Sequence, residues 1–348
     1  MSALATTFKA AAVHAAPVFM DKGATIQKTV EIIHNANDQG IGLLVFPETW
    51  IPGYPAFVMA YAPMQTLGLI SQYSKQSMLV LDSSGRPSQD MQKILSACQE
   101  AGVSIVLGIS EVSGQSKHTI FSSQVFVSAK GEILGVHRKL MPTYAEKNVW
   151  ANGGGATLKC WDMPLADDSL QKYRIGGLIC SENAIYAAKD ALVMEGEQVH
   201  AASWPAMCAF KAMKATYADR IRTFSMSHAF SAGAFVIAAS MIFKEEHLAW
   251  FERQLGPQPG EIVLEGSGWS GIVAPGTGVL AEGQGVEDRL VVAEINLGMT
   301  DSPAKVISDM AGHYRRPEVL KISVNREKIW EDDELVATGG LSSATSHP

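Results

Sequence analysis

Short apolar runs alternate with amphipathic stretches along most of this chain, and that alternation constrains the fold more than any single motif, because it demands layered α/β packing. The run GLLVF (42–46) is too short for a helix and apolar throughout, as a strand covered on both faces must be. Before it, GATIQKTVEIIHNANDQG (23–40) sets Ile26, Val30 and Ile33 on one helical face and ends at Gly40. FKAAAVHAA (8–16) reads as a first strand, and QDMQKILSACQEAG (89–102) as a helix leading into the strand VSIVLGIS (103–110). YRIGGLIC (173–180), NAIYAAKDALVMEG (183–196) and QVHAASWP (198–205) make a strand, helix, strand unit. ATYADRIRTFSMSHAF (215–230) and GAFVIAAS (233–240) add another helix and strand. The segment 118–139 carries two β-rich runs around an Ala-Lys-Gly turn and predicts a hairpin, so the sheet is mixed. A second hairpin is expected from GWSGIVAPGTGVLAE (268–282) and RLVVAEINL (289–297).

Composition bounds the rest. Of 348 residues, 47% are hydrophobic and 18% charged, enough apolar material for a large core and too much for general disorder. With 28 Lys and Arg against 35 Asp and Glu the net charge is −7, which excludes a basic nucleic-acid binder. The longest apolar stretch, 231–243, falls short of the roughly 20 residues a bilayer requires, so no membrane partner is expected. His14 and Pro17 interrupt the apolar N-terminal stretch, which reads as strand and turn and not as a leader. Cys98, Cys160, Cys180 and Cys208 form no C-x-x-C pair; free thiols in a reducing, cytoplasmic compartment follow. No metal or nucleotide motif is present, and neither metal nor cofactor is proposed. GTGVLA (276–281) sits in β-prone sequence and reads as a hairpin turn. Without a linker, residues 1–325 are read as one domain, and the tail 326–348, lacking apolar periodicity, as disordered. Tyr54–Ser77 and Met241–Glu265 break the rhythm and are candidates for interface or substrate-gating elements.

Ligands of open α/β sheets gather beyond the carboxyl ends of the strands, and three reactive side chains fall there. Glu48 follows GLLVF in a stiff Pro- and Gly-rich loop; Lys139 ends the hairpin strand; Cys180 ends YRIGGLI just before a helix expected near Asn183. A thiol becomes nucleophilic near a helix N-terminus or an ammonium. A carboxylate can take its proton and return it to a leaving amine, and a lysine can stabilise developing negative charge. Singly, each residue has an ordinary structural explanation, as do His137 and His200 on their strands.

Together they do not. FPETWIPGYP, HRKLMPTYAEKNVW and GGLICSENA occur in the order and approximate spacing of the nitrilase family within the carbon–nitrogen hydrolases, and HAASWPA (200–206) and DMAGHYRRPEVLKISVN (309–325) also resemble nitrilase segments. The resemblance implies a four-layer αββα sandwich and a Glu, Lys, Cys triad falling on Glu48, Lys139 and Cys180. A second glutamate, Glu146, would orient Lys139 or the substrate. It implies hydrolysis of a small-molecule nitrile through a thioimidate and then a thioester, giving acid and ammonia with some amide, and homo-oligomers built from dimers or growing into filaments. Tyr54 and Trp204 are candidates to line an apolar pocket, and Ser181 to stabilise developing charge through its backbone N–H. Two departures stand out. Ser181 replaces the Trp usual after the nucleophile, and Trp150–Gly155 reads W-A-N-G-G-G instead of W-G-x-G-D-G. An amidase or carbamoylase with the same triad is the second reading, and a catalytically silent oligomeric binding protein the third.

Overall fold

The computed structural model describes residues 7–340 apart from Lys117, 167–170, Glu261, Thr277 and 302–312. In chain order its elements are β1 (Thr7–His14), α1 (Lys22–Asp38), β2 (Ile41–Val45), α2 (Phe57–Ala60), α3 (Pro63–Gln76), β3 (Met78–Leu79), α4 (Gln89–Ala101) and β4 (Ser104–Val112). There follow β5 (Ile120–Val127), β6 (Ile133–Arg138), β7 (Trp161–Pro164), β8 (Lys172–Ile179), α5 (Tyr186–Met194), β9 (Val199–Trp204), α6 (Tyr217–Ala232) and β10 (Phe235–Ser240). The last are β11 (Ile242–Phe243), α7 (Glu245–Leu255), β12 (Gly266–Ser267), β13 (Ser270–Ala274), β14 (Gly278–Gly283) and β15 (Arg289–Asn296).

Two sheets carry the fold. One runs β15-β1-β2-β4-β5-β6 with β3 beside β4, the other β14-β13-β10-β9-β8-β7. Both are mixed: β1, β2 and β4 are parallel, as are β8, β9 and β10, while β15, β5, β6, β7, β13 and β14 join antiparallel. Successive side chains of a strand point to opposite faces, and this sorts the core into layers. Ala10, Ala12, Leu43 and Val45 of the first sheet pack against Val199, Ala201, Phe235 and Ile237 of the second. Their neighbours Ala11, Val13 and Leu44 turn outward onto Ile26 and Ile33 of α1 and Ile94 and Leu95 of α4. Ala202, Trp204, Val236 and Ala238 turn outward onto Tyr217, Ile221 and Ala229 of α6. The result is the expected four-layer αββα sandwich. No helix among the described residues is long and apolar enough to cross a membrane.

A polar staple pins the sheets together where the site forms. Gln124 on β5 donates through Nε2 to Ala201 O (3.0 Å) and Ser203 Oγ (2.8 Å) on β9, and Ser203 Oγ donates to Phe46 O (2.8 Å), two residues before Glu48. Buried polar atoms so satisfied fix one register of sheet on sheet.

Two expectations are corrected. β14 pairs with β13, but β15 leaves for the other sheet and pairs with β1, so 268–282 and 289–297 are not one hairpin. The tail expected to be disordered from residue 326 is built into the molecule through residue 340, with a short helix at Asp333–Ala337. Asp332 and Asp333 are buried against Arg138, which also pairs with Glu111. Trp330 packs edge-on to Phe121, and Trp161 Nε1 donates to Ala337 O at 3.0 Å. The run of acidic residues has the composition of a solvated tail; what draws it in is a buried guanidinium far upstream. Residues 341–348 lie outside the described residues.

Candidate active site

Glu48 sits three residues past β2, on a loop pressed against β4. A Cβ on Gly108 would meet Pro47 O at 1.9 Å, so the loop's approach requires glycine there. Lys139 directly follows β6 and donates its backbone N–H to Ser122 O (2.8 Å) on β5. Its Nζ is held between two carboxylates, 2.7 Å from Glu48 Oε1 and 2.8 Å from Glu146 Oε2. Glu146, in the 3₁₀ turn Tyr144–Asn148, accepts from Thr143 N at 2.6 Å and from Tyr54 Oη at 2.8 Å. Glu48 Oε1 also accepts from Ser122 Oγ at 3.0 Å, whereas Oε2 is buried with no hydrogen-bond partner among the described residues.

Cys180 follows β8 at the head of a second 3₁₀ turn, Cys180–Ala184, and the α-helix begins only at Tyr186. The helix expected near Asn183 therefore starts later, after this tighter turn. Four described residues other than glycine have positive φ, and three of them, Thr49 (45°), Tyr144 (50°) and Cys180 (54°), flank the site. Such backbone persists where surrounding structure over-determines it. Glu182 supplies part of that grip: it accepts from Ile179 N (2.8 Å), from Leu140 N (2.7 Å) beside Lys139, and lies 3.1 Å from His137 Nε2. One carboxylate thus ties the cysteine's turn to the lysine's strand.

Burial and charge set the protonation. Burial pushes the Glu48 carboxyl up to about 7, against the pull of Lys139. Burial opposes the charge on Lys139, but Glu146 and Glu48 outweigh it and hold the ammonium well above its ordinary value. Burial pushes the Cys180 thiol up to about 12; Lys139 pulls it down, and the two glutamates push it up. The depressed thiol expected from a helix N-terminus and a lysine is not what this environment produces, since desolvation dominates. A thiol so placed favours its protonated form and would need a base before it could attack carbon.

A model of the carbon–nitrogen hydrolase family matches residues 9–305. The chain is 34% identical over 336 residues to a bromoxynil-specific nitrilase of Klebsiella pneumoniae subsp. ozaenae, covering 96% of this chain and 90% of that one. The chain belongs to the carbon–nitrogen hydrolase family. It is also 31% identical to an aliphatic nitrilase of Rhodococcus rhodochrous, covering 95% of this chain and 86% of the relative. Among solved structures, Nit3 of Saccharomyces cerevisiae, a member of branch 10 of the nitrilase superfamily, aligns with a TM-score of 0.64 at 17% identity, covering 88% of this chain and 96% of that one. An amidase from Nesterenkonia sp. aligns with a TM-score of 0.60 at 16% identity, covering 88% and 98%. These two show the same fold.

In this carbon–nitrogen hydrolase, Cys180, Ser181, Glu146 and Trp204 line a cavity of about 690 Å³. Its walls are mostly apolar, with Met59, Met207, Phe210, Met213, Tyr217 and Phe224 prominent. The two segments outside the βα rhythm meet here: Met59 on α2 and Gly260 and Ile262 after α7 form one flank, and Tyr61, directly after α2, meets Phe251 on α7 edge-on. Ser181, exposed beside the cavity, has its Oγ 3.6 Å from Cys180 Sγ. Tyr54 is not among the lining residues; its hydroxyl is committed to Glu146 and its ring packs on Trp150. Sequence reasoning missed Tyr217, whose Oη lies 3.9 Å from Cys180 Sγ, and Glu182. Tyr217 begins α6, and nothing local marks it. Glu182 lies within GGLICSENA, but its bonds reach a strand some forty residues away. One group among the described residues, Glu197, His200 and His228, has the spacing for a metal ion, yet each carboxylate oxygen is already 2.7 Å from a ring nitrogen, the distance of a hydrogen bond.

Proposed function

We propose that this enzyme hydrolyses an organic nitrile to the carboxylic acid and ammonia with Cys180 as nucleophile. The observation that carries the reading is a thiol at the wall of an apolar cavity, within the electrostatic reach of a lysine clamped by two glutamates, one of which keeps an unpartnered oxygen. Glu48 takes the thiol proton as sulfur bonds to the nitrile carbon and passes it to the nitrogen, giving a thioimidate with Glu48 ionised again. Glu48 then takes a proton from the water that adds to the imidate carbon and delivers it to the nitrogen; as the C–N bond breaks the hydroxyl proton of the tetrahedral intermediate also passes to the nitrogen through Glu48, so ammonia leaves and a thioester remains. A second water, deprotonated by Glu48, releases the acid and restores the thiol. Lys139 stabilises the charge that develops on the substrate at each addition. Glu146, anchored by Tyr54 and Thr143 N, holds the ammonium in position.

The lining favours a bulky, largely apolar organic group on the nitrile, with the rings of Trp204, Tyr217, Phe210 and Phe224 to stack on it. The test is a panel of aliphatic, aromatic and arylacetonitriles beside their amides, with acid, amide and ammonia quantified. Nitrile turnover abolished by Cys180→Ala supports the reading. Turnover of amides alone makes the enzyme an amidase with the same triad, and no turnover of either supports a silent binding protein. We further infer that the enzyme self-associates and works in a reducing, cytoplasmic setting. Tyr186 and Met194 on α5 and Phe230 on α6, each more than half exposed, are apolar surface suited to a second copy, and Cys180 must stay unoxidised to act.

A further inference from the structure

The turn that presents Cys180 is gripped a second time, through side chains no reaction step uses. Asn183, buried three residues after the cysteine, gives its amide hydrogens to Leu178 O and Cys180 O, each at 3.1 Å. Its Oδ1 must then be the acceptor for His200 Nε2 at 2.9 Å. His200 Nδ1 lies 2.7 Å from Glu197 Oε1, so a proton sits between ring and carboxylate. Glu197 Oε2 accepts from His228 Nε2 at 2.7 Å. All four side chains are 4% exposed or less, and none lines the cavity.

The direction of each bond matters. A flipped Asn183 amide would set its oxygen against two carbonyls and its nitrogen against the His200 N–H, losing three bonds in a site that admits no solvent to replace them. We propose that His200 and Glu197 are positioning residues for the nucleophile: they lock the Asn183 amide in the orientation that holds the Cys180 carbonyl, and so keep the cysteine at its positive φ with the sulfur aimed at the substrate. The sequence placed His200 among ordinary strand histidines. The structure joins it to the cysteine's own carbonyl through a single amide.

This rests on Cys180 being the nucleophile, and the experiment separates the two. In the full-length enzyme, His200→Leu is compared with His200→Gln, which keeps an N–H of similar reach. The network predicts that His200→Leu lowers kcat by about 10- to 100-fold while KM stays within about threefold, as misplaced reacting groups do. Alkylation of Cys180 by iodoacetamide slows in parallel, and His200→Gln recovers most of both. A His200→Leu enzyme whose kcat per folded molecule stays within about twofold of the parent, or a loss that Gln does not rescue, overturns the proposal. Should His200→Leu not fold, Asn183→Asp keeps shape and the acceptor for His200 but removes both donors to the carbonyls; the same drop in kcat is expected, and unchanged kcat overturns the proposal. Nitrile turnover surviving in Cys180→Ala would instead defeat the nucleophile reading itself.

Discussion

Burial pushes the Glu48 carboxyl up to about 7 and the Cys180 thiol up to about 12, while Glu146 and Glu48 hold the Lys139 ammonium well above its ordinary value, and the proposed reaction gives each of the three a separate task. Only ionised Glu48 can accept the thiol proton, so kcat/KM should fall tenfold per unit as pH drops below about 7. A steady-state profile of the best nitrile checks this; a flat profile from pH 5 to 8 (roughly two units below Glu48's value to one above) would remove Glu48 as base. Cys180→Ala should lower turnover by about 10⁴-fold or more, as loss of a nucleophile that acts as part of a unit does. Ser181→Trp should lower turnover of bulky aromatic nitriles far more than of acetonitrile, because the indole would occupy space beside the sulfur that Ser181 leaves open. Ratios of kcat/KM over the panel would show it. At this scale the placement of Glu48, Lys139 and Cys180 just beyond β2, β6 and β8 was legible, because those three strands are recognisable in the sequence. Tyr54 was assigned to the substrate, yet it serves Glu146, and no local pattern tells a pocket tyrosine from a supporting one.

Strands and helices were largely legible because their periodicities are local, while partners across the fold were not. Arg138 is the clearest instance. It ends a hairpin strand visible in the sequence, but its guanidinium is wholly buried among Glu111, Asp332 and Asp333 and lies over the Phe121 ring at 4.1 Å. Arg138→Met would strand those carboxylates in the interior and should cost about 3–5 kcal/mol, measurable by denaturant unfolding. The helix-layer histidine His228 adds a pH dependence. Burial, with His200 adding to it, holds His228 near 4, below the ordinary 6.5. The folded state therefore binds fewer protons than the unfolded one between these values. The stability concerned is complete above pH 6.5 and is lost as pH falls through 4. Glu197 adds to the loss lower down: burial would raise its carboxyl, but His200 and His228 hold it near 2 against an ordinary 4.5. Replacing His228 with Gln should flatten the thermal midpoint between pH 6.5 and 4, as read by calorimetry.

For the whole molecule, the alternation of apolar runs foretold α/β layering and the family resemblance the two-sheet sandwich, but neither showed that β15 leaves β14 to pair with β1 in the other sheet. If copies associate through the exposed side chains of α5 and α6, Phe230→Glu should shift the light-scattering mass toward the monomer without loss of helical signal; an unchanged mass would assign assembly to another surface. The clasp on Arg138 reaches furthest in consequence. Two of its carboxylates arrive 194 and 195 residues after the guanidinium they pair with, which is next in sequence to the lysine of the proposed site. During synthesis, a nascent chain carries Lys139, Glu48 and Cys180 long before Asp332 and Asp333 emerge from the ribosome. Such a chain holds every residue of the proposed site before the carboxylates that reach Arg138 have been made, and a fragment cut short of residue 332 would leave that guanidinium buried with Glu111 as its remaining acidic partner.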